Sequence, residues 1–314
     1  MFEIKQVSLD LNCFTFGNDA VMNIKAKIEK IGVPLKDLLK EWNGKIYFGI
    51  KTGLNEAFII DTAKKEEILN NCETEEERKQ TEKIIKPILR GRDINKYNHK
   101  WAGPYLLFIP WHFPLHEDKS IEGSSEKAEV LFRKNFPTVY SHLLGFQDLL
   151  KKRNIAETGK RYEWYALQRW AATYHSEFEK EKIIFSRIVK SPMFAYDNNG
   201  MYINDTSYIL TGKNLKYLLA MLNSGVVYNI FYKFYSGGGI NGEIKICKLD
   251  ELPIPKISKI EQKPIIDIVD KILQTKAKNN NADTGDFERQ IDEIVYSLYD
   301  LTDEEIGIIE KLKL

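Results

Sequence analysis

Residues 215–234 form the most apolar long stretch of the chain, and this stretch constrains the fold more than any other feature. Asn223, Ser224, Gly225, Asn229 and Lys233 interrupt it, and no run approaches the roughly 18 unbroken apolar residues of a membrane span. The segment therefore reads as a buried helix over residues 215–235, around which other layers must pack. With 43% apolar residues in 314, there is material for one large or two modest domains. Residues Met1 to Lys5 lack the basic start and apolar run of a signal peptide. Cys13, Cys72 and Cys247 lie far apart with no CxxC pair, so neither a disulfide framework nor a structural zinc site is expected. A cytoplasmic protein without a membrane partner follows as the expectation.

The remaining elements alternate in type. Residues 2–9 give a weak strand pattern. Helical spacing over 21–39 is split by Gly32 and Pro34. Strands are expected at 45–50, 57–61, 105–109, 183–188, 194–203, 208–210 and 243–247. Asn199-Gly200 marks a hairpin inside 194–203. Residues 75–89 read as a helix begun by Thr74, with Glu75, Glu76 and Glu77 favoured by the helix dipole. Residues 112–125 read as a loop, and 126–153 as helix broken at Pro137. Pro253 and Pro255 mark a stop. Beyond them come amphipathic helices at 258–276 and 286–299 and a capped helix opened by Thr302. No repeat or low-complexity tract is present.

The net charge of +1 gives no global sign of a nucleic-acid binder, so any such surface must sort its charges. Residues 80–103 hold six bases against two acids, centred on Arg90-Gly91-Arg92-Asp93. Either the guanidinium forks address phosphates or a guanine edge, or Asp93 pairs with one of them in a structural turn. Residues 151–190 hold ten bases against five acids, interleaved with Tyr162, Trp164, Tyr165, Trp170 and Tyr174. That pattern suits a base-stacking surface or, equally, core aromatics among solvated lysines. Gln168 and Arg169 gain nothing from burial and both can contact bases bidentately. Residues 283–314 hold ten acids and three bases and make a poor DNA surface.

Catalytic motifs fail on context. Gly237-Gly238-Gly239-Ile240-Asn241-Gly242 satisfies G-x-G-x-x-G, but it follows a helix and precedes a strand, the reverse of a dinucleotide site. His112 and His116 have Pro114 between them and no third ligand nearby. Glu243-Ile244-Lys245 has the tail of a nuclease motif without its acidic partner. G-x-S-x-G, P-loop, HExxH and Asn-Pro-Pro-Tyr are absent. No catalytic, cofactor-binding or metal-binding residue is assigned.

Several ordered motifs carry a family likeness. They are residues 47–58 (opening Tyr47-Phe48-Gly49), 88–94 (Ile88-Leu89-Arg90-Gly91-Arg92-Asp93-Ile94) with Tyr97, and Trp164-Tyr165-Ala166-Leu167-Gln168. Lys182-Ile183-Ile184-Phe185, Phe194-Ala195-Tyr196-Asp197, Ile203-Asn204-Asp205-Thr206, residues 218–224, Leu252-Pro253-Ile254-Pro255 and residues 295–306 follow. Their order resembles the TaqI-like C-terminal specificity domain, the target-recognition region of many restriction-modification enzymes and adenine methyltransferases. The resemblance implies sequence-specific binding of double-stranded DNA beside a methyltransferase or endonuclease domain or subunit. S-adenosylmethionine and Mg2+ would belong to that catalytic part and not to this chain. A fragment acting in protein assembly without touching DNA is the alternative.

The expected architecture is α/β (α+β). A mixed-sheet target-recognition domain spans residues 1–255, and a helical tail at 256–314 packs on it or on the catalytic partner. The residues expected to face DNA are Lys51, Asn55, Arg90, Arg92, Lys96, Gln168, Arg169, Arg187 and Lys190.

Overall fold

The computed structural model describes residues 19–189, 191–236 and 242–311. Residues 2–9, Lys190 and the glycines 237–239 fall outside it.

The fold is α+β with mixed sheets, as expected. A four-stranded antiparallel sheet stands at its centre in the order β2 (Lys45–Phe48), β9 (Ser207–Thr211), β6 (Lys182–Ser186), β7 (Phe194–Asp197). Successive side chains on a strand point to opposite faces, and here both faces are buried. Ile183, Phe185, Phe194, Tyr208 and Leu210 enter one core, and Ile184, Ala195 and Ile209 enter another. The sheet is thus a wall between two cores. The first core holds the helices Asp19–Ile31, Leu35–Glu41, Leu215–Asn223, Lys259–Lys278 and Gly285–Leu298. The second holds a sheet ordered β3 (Ile59–Ile60), β5 (Tyr105–Leu107), β4 (Ile85–Leu89), β8 (Tyr202–Ile203), and the helices between Glu126 and Lys152. A third pairing joins β1 (Gly32–Pro34) to β10 (Pro253–Pro255), so the expected split at Gly32 and Pro34 and the expected stop at Pro253 are two sides of one ribbon.

The long apolar helix is broken at Ser224 into Leu215–Asn223 and Gly225–Ile230, followed by a wider turn at Phe231–Tyr235. Asn223 turns its amide into the sheet, where Nδ2 donates to the Phe194 carbonyl at 2.7 Å and Oδ1 accepts from the Phe194 amide at 3.0 Å. Asp292 then caps the second half. Its Oδ1 accepts from the Ser224 hydroxyl at 2.6 Å and the Gly225 amide at 3.1 Å, supplying the acceptor that a fresh helix start requires.

Four expectations are corrected. Residues 75–89 are not one helix: it stops at Ile84, and β4 takes over, since Pro87 would break a helix interior and Ile88 and Leu89 pair with β8. The Thr74 cap is present, its hydroxyl accepting from the Glu77 amide at 3.1 Å. Of the strand expected at 57–61 only Ile59–Ile60 is strand, because Ala57 and Phe58 belong to the helical turn Asn55–Phe58 before it. Residues 194–203 do not make a hairpin, because β7 pairs with β6 while β8 pairs with β4 in the other sheet. The cause is Asp197, whose carboxylate turns inward to Lys182 at 2.5 Å and accepts from the Asn199 and Met201 amides. Residues 243–247 give only an isolated bridge, Ile188 to Glu243, before a helical turn at Ile246–Leu249.

The Lys182–Asp197 pair is fully buried. Lys182 Nζ also donates to the carbonyls of Phe178 and Lys180, so all three of its protons are placed. Burial works against charge on both partners. At Asp197 the donors His99, Lys182 and Asn199 outweigh burial and hold its carboxyl below the usual range, whereas at Lys182 burial wins over Asp197 and lowers the ammonium. Among the described residues no helix is long and apolar enough to cross a membrane.

Candidate nucleic-acid interface

The strand registers bring four strand ends together. Phe48 pairs with Tyr208, Ser186 with Ser207 and Leu89 with Ile203. The C-terminal ends of β2, β4, β6 and β8 therefore open at one end of the molecule. The loops that leave them are tied through main-chain bonds. Ile50 N donates to Ile203 O at 2.8 Å, Gly49 N to Ser207 O at 3.0 Å, Arg187 N to Thr206 O at 2.9 Å and Asn204 N to Leu89 O at 3.3 Å. Lys51 and Arg169 exchange reciprocal backbone bonds of 3.0 and 2.9 Å, which adds the segment holding Gln168. The close approach explains Gly49, where a Cβ would lie 2.0 Å from the Asn204 carbonyl oxygen.

Of the nine residues expected to face DNA, Lys51, Asn55, Arg90, Arg92, Gln168, Arg169 and Arg187 lie on these adjoining loops. Among them, Arg92 and Arg169 are exposed and Lys51 is half-buried, and none of the three meets a carboxylate among the described residues. Asn55 is exposed and its Oδ1 accepts from the Thr52 hydroxyl at 2.7 Å. Arg90 is the structural member of its turn: Nε and Nη2 grip Asp93 at 3.0 and 3.2 Å. Arg187 pairs with Glu243 at 2.8 Å, which also accounts for the carboxylate of the Glu243-Ile244-Lys245 segment. Lys96 is drawn off to Glu288 on the helix Gly285–Leu298, at 2.5 Å. Lys190 lies outside the described residues.

The aromatic part of the basic segment belongs to the core. Tyr162, Trp164, Tyr165 and Trp170 are buried, and Tyr174 stacks on Tyr47 with ring centroids 4.5 Å apart. The exposed aromatic at this end is instead Phe48, 43% exposed, with the Arg169 guanidinium 5.3 Å above its ring. Sequence alternation alone could not mark it, because both faces of β2 carry apolar residues. Arg153 and the turn Asn204-Asp205-Thr206 were also missed as parts of this end.

The histidines have structural duties. Glu163 is buried and accepts from His112 N at 2.7 Å, His112 Nδ1 at 2.9 Å and Ser125 N at 2.9 Å, fastening both ends of the loop 112–125. His116 packs against Phe113 and Trp170. No group of three or more His, Cys, Asp or Glu side chains is gathered for a metal ion among the described residues.

Residues 86–254, more than half of the chain, match the TaqI-like C-terminal specificity domain. The chain belongs to this family. The matched span of the specificity domain runs from β4 to β10 and so contains the turn of Arg90 and Arg92, the Gln168–Arg169 segment and both strands of the buried ion pair. Over 272 residues the chain is 24% identical to the type II methyltransferase M.MjaIV of Methanocaldococcus jannaschii, covering 84% of this chain and 80% of that protein. The fold is similar to that of the Type IIL restriction-modification enzyme MmeI, solved in complex with DNA, with a TM-score of 0.57 at 12% identity over 97% of this chain. The chain spans only 36% of the MmeI chain. The type IIG restriction endonuclease BpuSI aligns with a TM-score of 0.46 at 14% identity, over 90% of this chain and 33% of its own.

Proposed function

We propose that this specificity domain recognises a sequence in double-stranded DNA on behalf of a restriction-modification enzyme. Methylation and cleavage would be supplied by another domain or subunit, working in the cytoplasm, and S-adenosylmethionine and Mg2+ would bind there. The observation that carries the reading is the set Lys51, Arg92 and Arg169: cations without acid partners among the described residues, on adjoining loops at the shared end of four strands. Cations of this kind neutralise phosphates, while neighbouring amides such as Asn55 and Gln168 can read base edges in the major groove. Asn and Gln pair bidentately with adenine, and an unpaired Arg with guanine.

Fluorescence anisotropy with a random duplex pool, at low and moderate salt, tests the reading. Binding that weakens steeply with salt is expected, with a logarithmic slope of about −0.9 per phosphate neutralised. Absence of binding at both salts would leave the assembly role without DNA contact as the better account. S-adenosylmethionine binding, or methyl transfer to DNA by the isolated chain, would overturn the assignment of chemistry to another part.

A further inference from the structure

Arg153, at the end of the helix Gln147–Lys152, is a guanidinium with no carboxylate beside it among the described residues. Its donors go to main-chain oxygens. Nε reaches Leu150 O at 3.3 Å, Nη1 reaches Thr52 O, and Nη2 reaches both Trp164 O at 2.9 Å and Ala166 O. The group lies between two rings, 5.2 Å from the centroid of Phe58 and 5.7 Å from that of Tyr162. Burial lowers its pKa to about 10, with Tyr162 opposing, so it stays a cation at neutral pH. A Cβ on Gly53 would lie 3.0 Å from Arg153 Nη1 and 2.9 Å from Gln168 Oε1, which places all three groups in one packed unit.

A partly buried cation with no carboxylate beside it gains little stability from its charge. What it achieves here is geometric. A planar fork with rigidly placed donors is suited to holding carbonyls from separate segments at fixed angles. The two segments it joins are the loop 50–55, which carries Lys51 and Asn55, and the segment 164–169, which carries Gln168 and Arg169.

We propose that Arg153 is a positioning residue that locks these two segments together, and that it sets discrimination between DNA sequences rather than overall DNA affinity. The inference rests on the DNA-recognition reading. Because Arg153 binds its own backbone through every nitrogen, it has no fork left for phosphate.

The test uses the full chain, a duplex selected by the wild type from a random library, and a scrambled duplex. In R153K the ratio of the two affinities is expected to fall about tenfold, the scale of one lost base-pair preference. Affinity for the scrambled duplex at low salt should change less than about threefold, because the phosphate-neutralising residues remain. Amide exchange should accelerate about tenfold in residues 51–55 and 164–169 while β6 and β9 keep their protection. Wild-type discrimination in R153K overturns the proposal, as does an equal loss on both duplexes, which would make Arg153 a phosphate contact. Should R153K fail to fold, the Nε–H resonance of Arg153 in the wild type decides. It is expected to exchange slowly and to keep its shift when the selected duplex is added, and a large shift on binding overturns the positioning role. If the wild type selects no sequence, the recognition reading itself has failed, an outcome separate from wild-type discrimination surviving in R153K.

Discussion

Replacing Asp197 by Asn removes one charge from the Lys182–Asp197 pair and almost no volume. The remaining Lys182 ammonium is fully buried and loses its counter-charge, with the Phe178 and Lys180 carbonyls still beside it. Removing one partner of a buried ion pair costs about 3–5 kcal/mol, because the survivor is left uncompensated. The loss also has a ceiling: at pH 7 an ordinary lysine can shed its proton for about 4.6 kcal/mol, and burial already makes Lys182 easier to deprotonate. With an unfolding entropy of about 2.1 cal/mol/K per residue over the whole chain, this corresponds to a fall in Tm of about 4.5–7.5 °C. A single transition is expected, since both cores share the sheet that holds the pair. Calorimetry on D197N, K182M and the double variant K182M/D197N checks it. The double variant should regain about 2 kcal/mol or more over D197N, because the Asn oxygen still accepts on the side of His99 and the Asn199 amide while the stranded charge is gone. A fall below about 1 kcal/mol in D197N, or a double variant no better than D197N, would refute the reasoning. The pH arm has a defined sign. A carboxylate held low in the folded state contributes stability above its unfolded pKa, near 3.9, and loses it as pH falls through the folded value, so the acid limb should flatten in D197N.

Further outcomes follow from the same geometry. K51A, R92A and R169A should each reduce the salt slope of DNA binding by about 0.9, whereas K96A, whose ammonium engages Glu288, should leave it unchanged in the same titration. Glu163→Ala strips the acceptor from His112 and Ser125 and should cost about 3 kcal/mol in urea unfolding; a cost within error of zero would discount Glu163 as the fastener of loop 112–125. Asp292→Ala removes the cap at Gly225 and should cost about 1–2 kcal/mol by the same measurement. Burial lowers the pKa of His142, with the Ala57 carbonyl opposing, so stability should decline as pH falls below about 6.5 towards the folded value. His142→Gln should make the Tm flatter across that window.

Local signals were legible where the cause is local. The Thr74 and Thr302 caps and the two long C-terminal helices depend on residues within one or two turns, and all are present. The misread segments depend on distant partners. The strand Ile85–Leu89 exists because Tyr105 and Tyr202 wait beside it, and the turn after Asp197 is set by Lys182, fifteen positions away. The candidate interface divides in the same way. The positive segments could be counted, and Asp93 stood close enough to Arg90 to be weighed as its partner. Glu243 and Glu288, which take Arg187 and Lys96, lie 56 and 192 positions from them and left no trace in the pattern. The aromatics near Gln168 were ambiguous for a related reason, since a residue's composition does not reveal which wall of the sheet it faces.

The central sheet is packed on both faces, and this bears on how the molecule would meet a partner. A loop rooted in a strand with one wet face retains some freedom to adapt, and that freedom must be surrendered on contact. Here β2 and β6 are held from both sides, and β4 and β8 lie against the second core. The loops that leave β2, β4 and β8 are tied by main-chain bonds and arrive with much of their conformational entropy already spent during folding. Little ordering penalty is then left for the encounter. Association should accordingly show a modest entropic cost and little dependence on slow rearrangement, and a mismatched partner would be rejected by faster departure rather than slower arrival.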